Sequence, residues 1–344
     1  MAPDHAISVV LCTYNGAVYL REQLDSLARQ SSPPSELIVS DDASSDDTAR
    51  IVSDFAVNAP FPVRLAVNAV NVGFIANFEK AIALASGDVI ALCDQDDVWR
   101  GDKLAKVRAA FDGNPNLGLV FSDGDIVDDT LAPLGRRLFE YASFDRRRQA
   151  RVRAGNAFDV LLDANVVTGA TMAFRADLRD LVLPIPPDRG RFHDSWIALL
   201  TSALADVAFV DEPLIQYRQH VAQVTGVRKH DRPTILDRTH YREHVEFLEL
   251  VERRLESWPD STLLPQPLSP PGKGEPHEAT TSRLTKLDDS RRRLAARIGH
   301  VRARAEMSGN RMGRLPVIVR ELLSGRYARY SSGLRSALRD MLVR

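Results

Sequence analysis

The chain is poor in cysteine, with only Cys12 and Cys93 in 344 residues. That count excludes a disulfide scaffold and a four-cysteine zinc site. No apolar run approaches the roughly 20 residues needed to span a bilayer. The opening MAPDHAISVVLCTYNG has no cationic start before an apolar stretch, so no signal peptide is expected and a cytoplasmic protein is the default. There is no G-x-G-x-x-G after the first apolar run, which argues against a dinucleotide fold. Gly272-Lys273 lacks the upstream glycine of a P-loop.

What is present is globular: 44% hydrophobic and 26% charged residues, enough to bury a real core at this length. The net charge of −1 hides an asymmetry. Residues 281–344 carry 16 Lys and Arg against 5 Asp and Glu, leaving an acidic body of −12. A basic tail on an acidic body suggests an anionic partner; the plain alternative is a solvated helical face.

Residues 7–13, 36–40, 62–67 and 88–93 read as strands, with helices over 17–30, after the polar cluster Ser44 to Asp47, and over 74–86 up to Gly87. Four β–α alternations predict an α/β fold: a mostly parallel sheet flanked by helices. Beyond residue 100 a helix at 101–112, a strand at 117–122, a helix at 156–163, a strand at 170–175, a helix at 194–205 and extended segments over 207–217 are expected. Residues 139–155 look cationic and irregular. Residues 257–280 hold six of the chain's 19 prolines and read as a linker before a helical, Arg-rich tail.

The carboxyl ends of strands two and four both carry acids: Asp41 and Asp42, then Asp94, Asp96 and Asp97. Carboxylates gathered at one sheet edge repel one another unless a hard cation or hydrogen-bond donors neutralise them. Mg²⁺ binds through one or two carboxylates plus substrate phosphates, so the spacing predicts a metal–diphosphate site. Asp41-Asp42 alone would serve equally as a helix-capping turn. His240-Tyr241-Arg242-Glu243-His244 matches a zinc-protease pattern but falls outside this acidic edge, in a charged helix.

The blocks Cys12-Thr13-Tyr14-Asn15-Gly16, Ile38-Val39-Ser40-Asp41-Asp42, Asn71-Val72-Gly73-Phe74, Cys93-Asp94-Gln95-Asp96-Asp97-Val98-Trp99, Thr168-Gly169-Ala170-Thr171, His193-Asp194-Ser195-Trp196 and Tyr217-Arg218-Gln219-His220 together resemble glycosyltransferase family 2, over about residues 5–226. The blocks Asp94 to Trp99, His193 to Trp196 and Tyr217 to His220, with Ser324 to Tyr330, resemble its rhamnosyltransferase-type members, which build bacterial cell-surface polysaccharide. The resemblance implies a GT-A fold, Rossmann-like, with a helical C-terminal extension. The domains would be 1–226 (a nucleotide-sugar half, 1–100, and an acceptor half, 101–226), a helical extension at 227–256, the linker at 257–280 and the tail at 281–344.

It also implies site roles. Thr13, Tyr14, Asn15 and Asp42 would line the nucleoside pocket, Asn71 and Asn77 would contact nucleotide or donor, and Asp94 would face ribose or metal. Asp96 would bind Mg²⁺ or Mn²⁺, with Asp94 and His220; an imidazole ligand suits Mn²⁺ better. Asp41, Asp97 and His193 are further candidates. Asp194 would be the catalytic base of an inverting transfer, although a helix cap explains an Asp there equally well. The implied partners are a dTDP- or UDP-sugar donor, a saccharide or lipid-linked acceptor, and an anionic membrane surface through the tail, with the protein peripheral on the inner face of the cell membrane. A homo-oligomer is a further expectation; nucleic acid is not expected, because few aromatics accompany the tail arginines. The rival reading is a catalytically inactive GT-A module that only binds nucleotide or polysaccharide.

Overall fold

The structure, a computed structural model, describes residues 5–187, 193–221, 223, 238–258, 276–307, 310–331 and 333–342. Strands β1 (Ile7–Thr13), β2 (Glu36–Asp41), β3 (Val63–Val67) and β4 (Val89–Asp94) alternate with helices α1 (Leu20–Ala28), α2 (Thr48–Ala56) and α3 (Phe74–Leu84). Then come β5 (Val98–Trp99), α4 (Lys103–Gly113), β6 (Leu117–Val127), β7 (Pro133–Arg137), α5 (Leu138–Tyr141), α6 (Arg146–Arg153), α7 (Ala157–Asp163), β8 (Ala173–Arg175), α8 (Arg179–Val182), α9 (His193–Leu204) and β9 (Asp206–Arg218). The C-terminal part is helical: α10 (Arg238–Ser257), α11 (Pro276–Ala305), α12 (Arg311–Leu323), α13 (Arg326–Tyr330) and α14 (Leu334–Leu342).

Among the described residues nine strands form one sheet in the order β3-β2-β1-β4-β8-β6-β9-β5, with β7 beside β6. The first four are parallel; β8 is antiparallel to β4 and β6, and β6 runs parallel to β9. Successive side chains of a strand point to opposite faces. Leu11, Val39 and Ala91 therefore join Leu24, Val52 and Phe111 on one face. Val10, Ile38 and Leu92 join Phe78, Phe158 and Leu199 on the other. This is the mostly parallel, helix-flanked α/β fold that the sequence predicts.

Local differences have physical causes. The stretch 139–155 contains two helices; Asp145 caps α6 by accepting from Arg148 N at 2.9 Å, and Val152 is buried. The expected strand at 170–175 begins as a 3-10 turn at Gly169–Thr171 and is extended only from Ala173. The paired segments at 207–217 are one 13-residue strand. Helix α3 stops at Leu84, before Gly87, which permits a close approach: a Cβ there would lie 2.6 Å from the Ala6 carbonyl oxygen.

Leu248 and Leu255 of α10 and Leu287, Leu294 and Ile298 of α11 share the core that holds Ile90 and Phe121. Helix α11 starts at Pro276, inside the expected linker, and most of that linker lies outside the described residues. No described helix is long and apolar enough to cross a membrane.

Candidate active site

Parallel register sets the carboxyl ends of β2, β1 and β4 side by side: Asp41 pairs with Thr13, and Asp94 with Cys12. Ligands of open α/β sheets sit at this edge. The loops that leave β1 and β2 are laced together there. Asn15 N donates to Ser44 Oγ at 2.8 Å, and Asn15 Oδ1 accepts from Ser45 N at 2.9 Å. Gly16 N donates to Thr48 Oγ1 at 2.8 Å. The polar cluster expected to cap α2 thus serves mainly the neighbouring loop, and Asp47, at the cap position, makes no side-chain cap bond. Asn15 (φ 46°) and Ala43 (φ 60°) are left-handed, a costly backbone for non-glycine residues that these cross-loop bonds hold in place.

Asp41 is fully buried and accepts from Thr13 Oγ1 at 2.8 Å, Ser44 Oγ at 2.6 Å and Ser44 N at 2.9 Å. It builds the turn. Asp42 reaches the other way. Its Oδ1 accepts from Asn68 Nδ2 and Val72 N, and its Oδ2 from Gly73 N, each at 2.8 Å. Asn71 Nδ2 lies 3.4 Å from the Asp42 carbonyl oxygen. Asn77 is buried beneath them, its amide committed to Ser40 and Asn68. Tyr14 is half exposed at the rim.

Around β4 the negative charge is concentrated. Asp94 is pushed up to about 7, first by burial and then by the charges of Asp96 and Asp194. Burial and the charges of Asp96 and Asp94 also raise Asp97, whose Oδ1 accepts from Arg218 N at 3.1 Å while Oδ2 has no partner among the described residues. Asp96 Oδ2 stands 2.8 Å from His220 Nε2. One nearby cation is Lys103, buried over the Trp99 ring with Nζ donating to the Ala170 carbonyl at 2.7 Å. Burial lowers it to about 7, against the pull of Cys93, Asp97 and Asp94. Cys12 and Cys93 are buried free thiols raised by burial, as expected of small core residues.

Asp194 lies in the first turn of α9. Its Oδ1 accepts from Asn165 Nδ2 at 3.0 Å and from Ser195 N. Burial nevertheless raises it to about 6, so desolvation outweighs these donors. His193 stacks on Phe78, ring centroids 4.3 Å apart, and burial lowers it to about 4. Both its nitrogens lack partners among the described residues. Gly169 leaves it room, since a Cβ there would come within 2.8 Å of Nε2. Trp196 is core, its Nε1 donating to the Val182 carbonyl at 2.8 Å.

Among the described residues no three His, Cys, Asp or Glu side chains form a ready metal cage. The donors at hand are the carboxylates of Asp94 and Asp96 and the imidazole of His220. Asp94 is raised first by burial, and the charges of Asp96 and Asp194 add to that shift. An oxygen-rich set this small fits a divalent cation whose remaining ligands are water and substrate phosphates.

Three residues with no role assigned from sequence support the site. Gln95 clamps the β1–α1 loop: Oε1 accepts from Tyr14 N at 2.9 Å, and Nε2 donates to the Tyr14 carbonyl at 3.1 Å. The buried Arg218 donates from Nε to the Asp96 carbonyl at 2.7 Å and pairs with Glu22. Both stand inside the recognised blocks, which is the signal that would have found them. Lys103 carried none, since its burial follows from helix placement alone.

Residues 8–174 match the family model described as Glycosyl transferase family 2. Over 221 residues the chain is 29% identical to an uncharacterized protein of Mycobacterium tuberculosis, covering 62% of this chain and 59% of that one. It is 28% identical over 223 residues to an uncharacterized glycosyltransferase of Nostoc, covering 63% and 65%. The matches thus span less than two thirds of these relatives' lengths. Among solved structures, Staphylococcus aureus TarS in complex with UDP-GlcNAc aligns with a TM-score of 0.54 at 17% identity, over 96% of this chain and 90% of that one. At that identity the likeness concerns the fold.

Proposed function

We propose that the chain is an inverting, metal-dependent glycosyltransferase, a reading supported by the match of residues 8–174 to the glycosyl transferase family 2 model. It takes one sugar from a dTDP- or UDP-sugar, with dTDP-rhamnose the donor to try first, and passes it to a saccharide or lipid-linked saccharide of a cell-surface polysaccharide. The observation that carries this reading is the gathering of Asp94, Asp96 and Asp194 at one partly buried edge, where the charges of Asp96 and Asp194 add to burial in raising Asp94.

Thr13, Tyr14, Asn15, Asp42 and Asn71 bind the nucleotide, with Asn77 bracing the pocket from beneath. Asp94, Asp96 and His220 hold Mg²⁺ or Mn²⁺, which when bound would offset charge on the departing diphosphate. Asp194 accepts the proton of the acceptor hydroxyl as that oxygen bonds to the anomeric carbon. The bond from that carbon to the diphosphate oxygen breaks on the opposite face, and the electron pair leaves with the nucleoside diphosphate. One carboxylate suffices, because no covalent sugar–enzyme intermediate forms. Its raised affinity for protons makes Asp194 a better base than an exposed carboxylate, while leaving it ionised at neutral pH. The test is nucleoside diphosphate release with donor and acceptor present, in wild type and Asp194→Asn; equal turnover by the two would remove Asp194 from this role.

A further inference from the structure

Beyond α11, which shares the core of the body, the tail has two apolar faces. Met307, Ile318, Tyr327 and Ala337 form a small core of their own among α11 to α14. Polar bonds close the bundle. Arg304 holds both oxygens of Asp340 at 2.7 and 2.8 Å, Tyr327 Oη donates to Asp340 Oδ2 at 2.6 Å, and His300 Nδ1 lies 2.9 Å from Glu321 Oε2.

The second face is bare. On α12 it is Met312, Leu315, Val319 and Leu323, spaced three and four apart and therefore one stripe. On α14 it is Leu334, Leu338 and Leu342. Leu323 is 85% exposed and Leu338 62%. Such stripes normally face a partner.

Charge says which partner. Residues 310–342 hold seven arginines and two acids. Both acids, Glu321 and Asp340, are buried inside the bundle. Arg320, Arg329, Arg335 and Arg339 are exposed. The outer surface is therefore aliphatic and cationic, with its anions turned inward. The tail's two tyrosines, Tyr327 and Tyr330, are buried, so nothing in the stripes would stack on bases. Aliphatic side chains beside arginines match the boundary between acyl chains and anionic headgroups. We propose that the exposed faces of α12 and α14 dock this protein on the surface of an anionic lipid bilayer. The inference stands whether or not the chain transfers sugar.

Flotation of the full-length chain tests it, using phosphatidylcholine vesicles with and without phosphatidylglycerol at about a third of the lipid. The wild type floats with the anionic vesicles at low ionic strength, at least about tenfold less with the neutral ones, and is released by high salt. The triple variant Leu315→Glu/Leu323→Glu/Leu338→Glu keeps its circular dichroism and stays at the bottom. Arg335→Gln/Arg339→Gln weakens flotation on anionic vesicles and decides the matter should the triple variant unfold. Wild type that ignores anionic vesicles overturns the proposal, as do variants that float like wild type. A dimer in light scattering that the leucine substitutions dissolve, without flotation, overturns it too and assigns the face to a second copy.

Discussion

Asp96 Oδ2 and His220 Nε2 face each other at 2.8 Å, although 124 positions separate them in the chain. One ends the acidic run after β4; the other follows β9. Arg218 fastens the two segments by donating to the Asp96 carbonyl.

If this pair holds a divalent ion, transfer stops in chelator and returns with Mg²⁺ or Mn²⁺. Asp96→Ala removes most activity. His220→Ala leaves some, raises the metal concentration for half-activation, and narrows the preference for Mn²⁺ over Mg²⁺. Titration of activity against each metal checks this, and full turnover in chelator would sink the metal assignment.

If Asp194 is the base, Asp194→Asn keeps shape and hydrogen bonding but cannot take up the acceptor's proton. Turnover should drop on the order of 10²–10⁴, with nucleotide affinity nearly unchanged. In the wild type the base must be ionised, so kcat/KM climbs with pH through about 6, the value to which burial raises Asp194. The acidic limb should vanish in the variant; its survival would point to a different group.

The same burial has a stability cost. Asp194 binds its proton up to about pH 6 in the folded protein, whereas a carboxylate of the unfolded chain releases it near 4. Stability contributed by this group is therefore lost as pH rises from about 4 to 6, and stays lost above. Asp194→Asn should be more stable than wild type at neutral pH by about 1–3 kcal/mol, an advantage that fades towards pH 4. Urea unfolding at both pH values measures it. A variant less stable at neutral pH would contradict the burial argument.

At the β1–α1 loop, a Cβ on Gly16 would lie 2.1 Å from Gln95 Oε1. Gly16→Ala must expel the Gln95 side chain and forfeit its two bonds to Tyr14. Donor KM should rise roughly five- to tenfold. Gln95→Ala should do about the same, and the double variant little more, because both lesions undo one clamp. Strict additivity in this cycle would show that the clamp does not mediate the effect.

Strands β1, β2 and β4 were legible in the sequence because each is buried on both faces and reads as a largely apolar run, whereas the edge strand β3 is only partly buried and showed through its β-branched residues despite Arg64. The acids at their ends were legible too, since they stand where such runs stop. Pairing across distance was legible only where the resemblance supplied it, as for His220 and Asp96. No local pattern puts Lys103 beside Asp94, or commits Asn77 to Ser40 rather than to open solvent. The short helices at 138–153 escaped because their arginines mask the weak period of Phe139, Gln149 and Val152. The tail's helical, Arg-rich character was visible, but its two apolar faces follow only once α12 and α14 pack on each other.

The most direct measurement is nucleoside diphosphate release by the purified chain from dTDP-rhamnose, UDP-galactose, UDP-glucose and UDP-N-acetylglucosamine, with Mg²⁺ or Mn²⁺ and with chelator. The account predicts that one of these donors is consumed far faster than the others, only with metal, and that Asp194→Asn binds that donor without turning it over. A chain that neither binds nor consumes any nucleotide sugar in the presence of metal would contradict it.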